Sequence, residues 1–176
     1  LALFVGRLVP HKGIGILIRS LTFTQRGKLL IIGDGPYKNW LVNLVKKLDL
    51  NDRVIFVGPV DDYWLPSYYS ATDVVVLPST SRLEAFGIVG LEGMATAKPL
   101  ILSDIPGVRD VISEKEGYIV DPLDPGAIAE ALEKIWNAPE MAREMGLRGR
   151  ERVEKLFSWE KVSKDIESVF RKILSK

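Results

Sequence analysis

The chain has 176 residues, 47% apolar and 27% charged, which fits one globular domain with a sizeable core and excludes a disordered chain. Lys and Arg number 24 against 23 Asp and Glu, a net charge of +1, which argues against a nucleic-acid binder with its basic stripe. No cysteine and a single histidine, His11, exclude disulfides, thiolate metal sites, thiol catalysis and multi-histidine metal centres.

Apolar runs of strand length alternate with segments of helical period. Residues 1–6 read as a buried strand ended by glycine. Residues 14–23 are helical, with Ile14, Leu17, Ile18 and Leu21 on one face. Residues 28–32 form a second strand, and 37–48 a helix with Leu41, Leu44, Val45 and Leu48 inward and Lys46 and Lys47 outward. Residues 53–57 are a third strand, 61–71 a short aromatic-rich helix and 73–77 a fourth strand. Residues 86–97 are rich in small residues and helical; 99–102 are a short strand and 107–112 a short helix. Residues 117–120 form the last strand, 125–136 a clear helix, 141–156 a helix charged on most faces, and 159–174 an amphipathic helix. No apolar run reaches the ~20 residues that span a bilayer. The first residue is Leu1, inside an apolar run, and the chain is expected to be a piece of something longer.

The strands are apolar throughout, so both faces should be covered. Strand–helix alternation with short connections predicts parallel strands and right-handed crossovers. The expected fold is α/β: a doubly wound, Rossmann-like parallel sheet of about six strands in a single domain spanning residues 1–176. In such sheets ligands sit outside the carboxyl ends of the strands, so the turns there are the places to look for function.

The first turn carries Arg7 and Lys12 between Gly6 and Gly13. A planar fork and a compact point charge in one loop suit a diphosphate, although two solvated surface charges would look the same. His11 has no acidic orienter nearby and reads as a loop residue. Gly33-Asp34-Gly35-Pro36 follows the second strand. It is either a tight turn with a helix start or a place where ligand lies against backbone. After the third strand, Asp61 or Asp62 would cap the next helix, or a carboxylate there would meet the N–H donors of guanine.

The fourth turn says most. Glu84 and Glu92 are eight apart, around Gly87, Ile88 and Val89 at a helix start. Free N–H groups and the helix dipole make such a start an anion site. Gly87, Gly90 and Gly93 each cost up to about 1 kcal/mol against Ala in a helix, so close approach of ligand or strand is expected there. A glutamate inside an apolar helix needs partners, which sugar or ribose hydroxyls would supply. The turn at Ser103-Asp104-Ile105-Pro106-Gly107 is equally a cavity lining or a plain turn, and Arg109 and Asp110 are expected to pair in solvent. Tyr63, Trp64, Tyr68 and Tyr69 read as helix packing.

These residues, in this order, resemble the C-terminal, donor-binding domain of GT-B retaining glycosyltransferases over essentially the whole chain. Gly6-Arg7 to Lys12-Gly13 matches the family's G-R-x(4)-K-G loop, and Gly33-Asp34-Gly35-Pro36 its G-x-G-P turn. Val54 to Gly58 matches its third strand, and Glu84 to Glu92 its E-x(7)-E motif with Phe86-Gly87-Ile88-Val89 inside it. The resemblance implies that Arg7 and Lys12 grip the donor diphosphate and that Glu84 contacts hydroxyls of the donor sugar. It further implies that N–H groups near Gly87, Ile88 and Val89 hold the distal phosphate, Glu92 takes the ribose hydroxyls, and the Val60–Asp61 loop meets the base. Gly6, Gly33, Gly35 and Phe86 complete the implied donor site, with no metal and no cofactor. Departures from the pattern are Ala97 for a glycine before Lys-Pro, Gly93 for an alanine, and Ile105-Pro106-Gly107 with Arg109-Asp110 in the fifth turn.

The implied activity is hexosyl transfer from a GDP-mannose or UDP-glucose type donor to an acceptor held by an N-terminal domain. This piece would be inactive without that domain, towards which the helix at 159–174 would cross back with its apolar face partly exposed. The expected location is cytoplasmic, with any attachment to the inner membrane face carried by the missing part. Three other readings stand beside it: a regulatory module sensing a nucleoside diphosphate, an epimerase of similar architecture, and a doubly wound domain with no nucleotide site.

Overall fold

A computed structural model describes residues 1–174. Six strands form one parallel sheet in the order β3-β2-β1-β4-β5-β6. They are β1 (Ala2–Val5), β2 (Leu29–Ile32), β3 (Val54–Gly58), β4 (Val74–Leu77), β5 (Leu100–Ser103) and β6 (Gly117–Val120). Among the described residues seven α-helices follow or connect them: α1 (Ile14–Ser20), α2 (Lys38–Lys47), α3 (Leu65–Ser70), α4 (Ile88–Ala95), α5 (Pro125–Asn137), α6 (Pro139–Leu156) and α7 (Trp159–Leu174). The winding reverses between β1 and β4, which pair directly, Ala2 opposite Val74. That reversal is the topological switch point where doubly wound sheets hold ligands.

The two-residue period of the strands divides the core in two. Ala2 and Phe4 of β1 and Val74 and Val76 of β4 point to one face, with Leu17 and Ile18 of α1, Leu41 of α2 and Leu132 of α5. Leu3, Val5, Val75 and Leu77 point to the other, with Tyr69 of α3, Met94 of α4 and Val153 of α6. Each fully buried Leu or Ile contributes about 1.5–3 kcal/mol by leaving water. β1, β4 and β5 are buried at every position, as expected of strands covered on both faces. The edge strands are less covered, and Ile55 of β3 and Ile119 of β6 remain well exposed.

Several boundaries differ from the sequence expectation, each for a local reason. The helix expected over 61–71 narrows to α3, because Asp61 folds residues 61–64 into a turn. Its carboxylate accepts the Tyr63 N–H at 2.8 Å and its carbonyl the Trp64 N–H at 2.9 Å. Neither Asp61 nor Asp62 therefore caps α3. The helix expected from residue 86 begins at Ile88, since Gly87 takes a left-handed φ of 80° that no helix accommodates. The segment 107–112 contains only a 3-10 turn, Arg109–Val111. Arg109 pairs with Asp104 at 2.9 Å, while Asp110 accepts the Gly107 N–H at 3.1 Å, so the expected Arg109–Asp110 pair is replaced. α6 starts two residues earlier than expected, at Pro139.

The two helical glycines of α4 are explained by the sheet. A Cβ on Gly93 would lie 2.8 Å from Leu100 Cδ2 and 3.1 Å from Val75 Cγ2, and one on Gly90 3.4 Å from Leu100 Cδ1. α4 thus rides directly on β4 and β5. Ala97, which stands where the resemblance expects glycine, adopts φ of 55°. α7 buries no residue; Ile166, Val169, Phe170 and Ile173 are all exposed along it. Among the described residues no helix is long and apolar enough to cross a membrane.

Candidate functional site

The loop after β1 is tied to both neighbouring loops by backbone. Leu8 is buried; its N–H donates to Asp34 O at 2.9 Å and its carbonyl accepts the Tyr37 N–H at 3.0 Å. Gly33 and Gly35 permit this contact, for a Cβ on either would meet the Gly6 or Leu8 carbonyl oxygen, at 2.0 and 2.5 Å. On the other side the Thr80 N–H donates to His11 O at 2.8 Å. Gly13, in a left-handed turn at φ of 68°, presses against the loop after β4; a Cβ there would lie 1.8 Å from Pro78 O. His11 thus acts through its carbonyl, as a loop residue.

This stitching brings two residues 72 positions apart into contact. The Lys12 ammonium forms an ion pair with Glu84 Oε2, both side chains being over four-fifths buried. Ser79 Oγ donates to the same oxygen at 3.1 Å. Glu84 Oε1 has no partner among the described residues and is not sealed from solvent. Pairing the two charges, with the Ser79 hydroxyl beside them, offsets part of the cost of desolvating each.

Arg7 stands apart from this pair. It is exposed and has no hydrogen bond or ion pair among the described residues. It lines a groove of about 290 Å³ at the carboxyl ends of β1, β2 and β3, shared with Gly6, Gly33, Asp34, Val60 and Asp62. Asp34 and Asp62 bring carboxylates to that groove, Asp34 accepting the Gly35 N–H at 2.8 Å. The carboxylate of Asp61 is turned into its own loop.

The start of α4 lies beyond Glu84. No side chain caps it, and the N–H groups of Ile88 and Val89 find no acceptor among the described residues. The Gly90 N–H turns back to Gly87 O at 2.8 Å. Open N–H groups at a helix start carry partial positive charge. Phe86 packs its ring edge-on against Phe157, with centroids 5.7 Å apart, and so ties this loop to the end of α6.

Glu92 sits one turn into α4. Its Oε2 accepts the Tyr69 hydroxyl at 2.5 Å, across the contact between α3 and α4. Burial, then the hydrogen bond and charge of Glu92, push the Tyr69 phenol well above its ordinary range. Tyr69 and Ser79 are the polar partners that sequence reasoning missed. The Tyr69 contact depends on the packing of α3 on α4, and the Ser79 contact on how the loop after β4 folds back over five residues.

The turns after β1 and β4 thus present two cations and a helix start, which suit phosphate, and two carboxylates each with an oxygen to spare, which suit hydroxyls. A second cavity, of about 280 Å³ near Lys98, Trp136 and Arg143, lies at the opposite, amino-terminal edge of the sheet. Six parallel strands wound in this order, with an anion-suited switch point, define a doubly wound, Rossmann-like domain.

The family model for Glycosyl transferases group 1 matches residues 1–152. An uncharacterized glycosyltransferase of Methanocaldococcus jannaschii is 33% identical over 173 residues, covering 96% of this chain and 44% of that protein. The structure of sucrose-phosphate synthase from Thermosynechococcus elongatus superposes with a TM-score of 0.91 at 37% identity, over 99% of this chain and 45% of that one. An Anabaena protein, HepE, in complex with UDP-glucose shares the fold at a TM-score of 0.90 and 22% identity, over 97% of this chain and 48% of that one. This chain belongs to the group 1 glycosyltransferases, in which it corresponds to the donor-binding C-terminal domain of the GT-B fold. It spans less than half the length of each of these relatives.

Proposed function

We propose that this domain holds the donor of a retaining transferase that moves a hexose from a nucleoside-diphosphate sugar, without a metal, to an acceptor bound by a second, N-terminal domain. The observation that carries the reading is the Lys12–Glu84 pair, which ties the loop that carries Arg7 to the turn that leads to the open start of α4. Arg7 and Lys12 would take the diphosphate, and the N–H groups of Ile88 and Val89, freed by the turn at Gly87, its distal phosphate. Glu84 would accept from sugar hydroxyls through Oε1 while Lys12 keeps its other oxygen occupied. Lys12 then sits at the boundary between sugar and phosphate, where negative charge gathers as the glycosidic C–O bond breaks. Preorganised cations and a helix dipole at that point supply the electrostatic stabilisation such a leaving group needs. Glu92 would take the ribose, and the groove at Gly6, Gly33 and Val60 the base, with Asp62 rather than Asp61 facing it. The glycines Gly33 and Gly35 serve by letting the two loops close on each other.

The donor is of the GDP-mannose or UDP-glucose type. The shared fold of the UDP-glucose complex supports a uridine donor, and a carboxylate at the base groove supports guanine. Thermal unfolding with GDP, UDP and ADP, each alone and as its hexose conjugate, in the presence of a chelator, separates these. Ligand at about 100 times its Kd adds about 2.7 kcal/mol. A rise in Tm with one base and not the others names the donor; no rise with any of them refutes the proposal.

A further inference from the structure

We infer that Tyr69 is a positioning residue that holds Glu92 as a pure hydrogen-bond acceptor and so makes the site select a free ribose diol. The inference rests on the donor-binding reading above. Tyr69 is 2% exposed and belongs to the same core cluster as Leu3, Val75 and Leu100. Its hydroxyl has one partner, Glu92 Oε2, at 2.5 Å. Glu92 in turn has no other partner for its side chain among the described residues, and Oε1 is not sealed from solvent. The carboxylate is therefore fixed at one oxygen and open at the other.

Two consequences follow from the chemistry of the pair. A phenol can donate one proton, and here it stays a phenol, because burial and the neighbouring carboxylate both oppose its ionisation. That proton goes to Oε2, so the carboxylate meets a ligand at Oε1, an oxygen that offers lone pairs. A ribose diol, which brings O–H donors, satisfies that oxygen. A deoxyribose leaves it bare, and a 2′-phosphate sets like charge against it. Tyr69 also removes the alternative in which Glu92 swings freely along α4. The side chain is anchored to α3, an element that the chain reaches from the base groove at Val60 and Leu65.

The test is isothermal calorimetry of the chain with UDP and GDP and with their 2′,3′-dideoxy counterparts, for wild type, Tyr69→Phe and Glu92→Gln. A hydrogen bond to a charged group is worth about 1.5–3 kcal/mol, so wild type should prefer the ribonucleotide about tenfold or more. Tyr69→Phe should lose most of that preference by weakening the ribonucleotide alone, with dideoxynucleotide affinity unchanged. A merely structural role would weaken both ligands together. Tyr68→Phe, at the neighbouring partly exposed tyrosine, controls for the loss of a hydroxyl on α3. If Tyr69→Phe is unstable, Glu92→Gln reads the same acceptor without touching the core, and an unchanged preference there overturns the inference. Preserved ribose preference in Tyr69→Phe overturns the positioning role while leaving the donor-binding reading intact. No binding of either ribonucleotide by the wild-type chain overturns both.

Discussion

Gly13→Ala and Gly58→Ala make a matched pair that measures how tightly the loops after β1 and β4 are pressed together. Both glycines have positive φ, 68° and 88°, so any side chain strains the backbone at either. That shared strain is about 1–2 kcal/mol. The surroundings differ. A Cβ at Gly58 meets nothing within 4 Å, whereas at Gly13 it would lie 1.8 Å from Pro78 O and 2.8 Å from Pro78 C. Backbone cannot rotate out of the way, so the loop must back off by more than 1 Å, about the shortfall from ordinary van der Waals contact. That retreat strains the His11–Thr80 hydrogen bond and draws Lys12 from Glu84. We expect Gly58→Ala to cost about 1–2 kcal/mol and Gly13→Ala about 4 kcal/mol or more. For a domain of this size 1 kcal/mol moves Tm by about 2–4 °C, which gives roughly 2–8 °C against 8–16 °C. Urea unfolding at constant m-value reads the difference directly. Equal costs at the two positions would refute the close approach of the two loops, and with it the assembly of the site.

Glu84→Gln removes the countercharge of a Lys12 side chain that is 17% exposed. Breaking a fully buried pair costs about 3–5 kcal/mol, and the residual exposure here brings the expected loss to about 1–3 kcal/mol in urea unfolding. Ala97→Gly relieves a non-glycine residue at φ of 55° and should stabilise by about 1 kcal/mol, seen as a Tm raised by about 2–4 °C. Tyr69 keeps its proton more tightly folded than unfolded, so its contribution is complete below the ordinary phenol value of 10.0 and is lost as pH rises above it. Ultraviolet titration should show one tyrosine that ionises only as the chain unfolds in alkali, and Tyr69→Phe should abolish that step.

Much of the fold was legible because its signals are local. Runs such as Leu29–Ile32 and Val74–Leu77 have strand length and no polar face, and the last strand, Gly117–Val120, and last helix, Trp159–Leu174, fall where the pattern puts them. The errors sit where a side chain or a backbone torsion overrides periodicity. Asp61 captures the Tyr63 N–H and shortens α3, and Gly87 halts the helix that Phe86 would otherwise begin. At the candidate site, residue types put Lys12 and Glu84 in the turns after the first and fourth strands, and the pairing of β1 with β4 brings those turns together. What could not be read was who touches whom. Tyr69 on Glu92 and Pro78 under Gly13 are set by the approach of segments far apart in the chain, and Ser79 on Glu84 by the irregular path of a single loop. The glycines of α4 left ligand or strand open as the close neighbour, and at Gly90 and Gly93 it is the strands, β4 and β5, that seat the helix.

The central claim is that the anion site is local to the switch point, built from Arg7, Lys12 and the start of α4. Amide chemical-shift mapping by heteronuclear NMR, with UDP and then GDP titrated into the labelled chain, tests it most directly. Saturable shifts are expected at Gly6 to Gly13, at Gly87 to Val89 and at Glu92, with α5 and α7 silent. Shifts gathered instead around Lys98, Trp136 and Arg143, at the amino-terminal edge of the sheet, would contradict it, as would no saturable shift with either nucleotide.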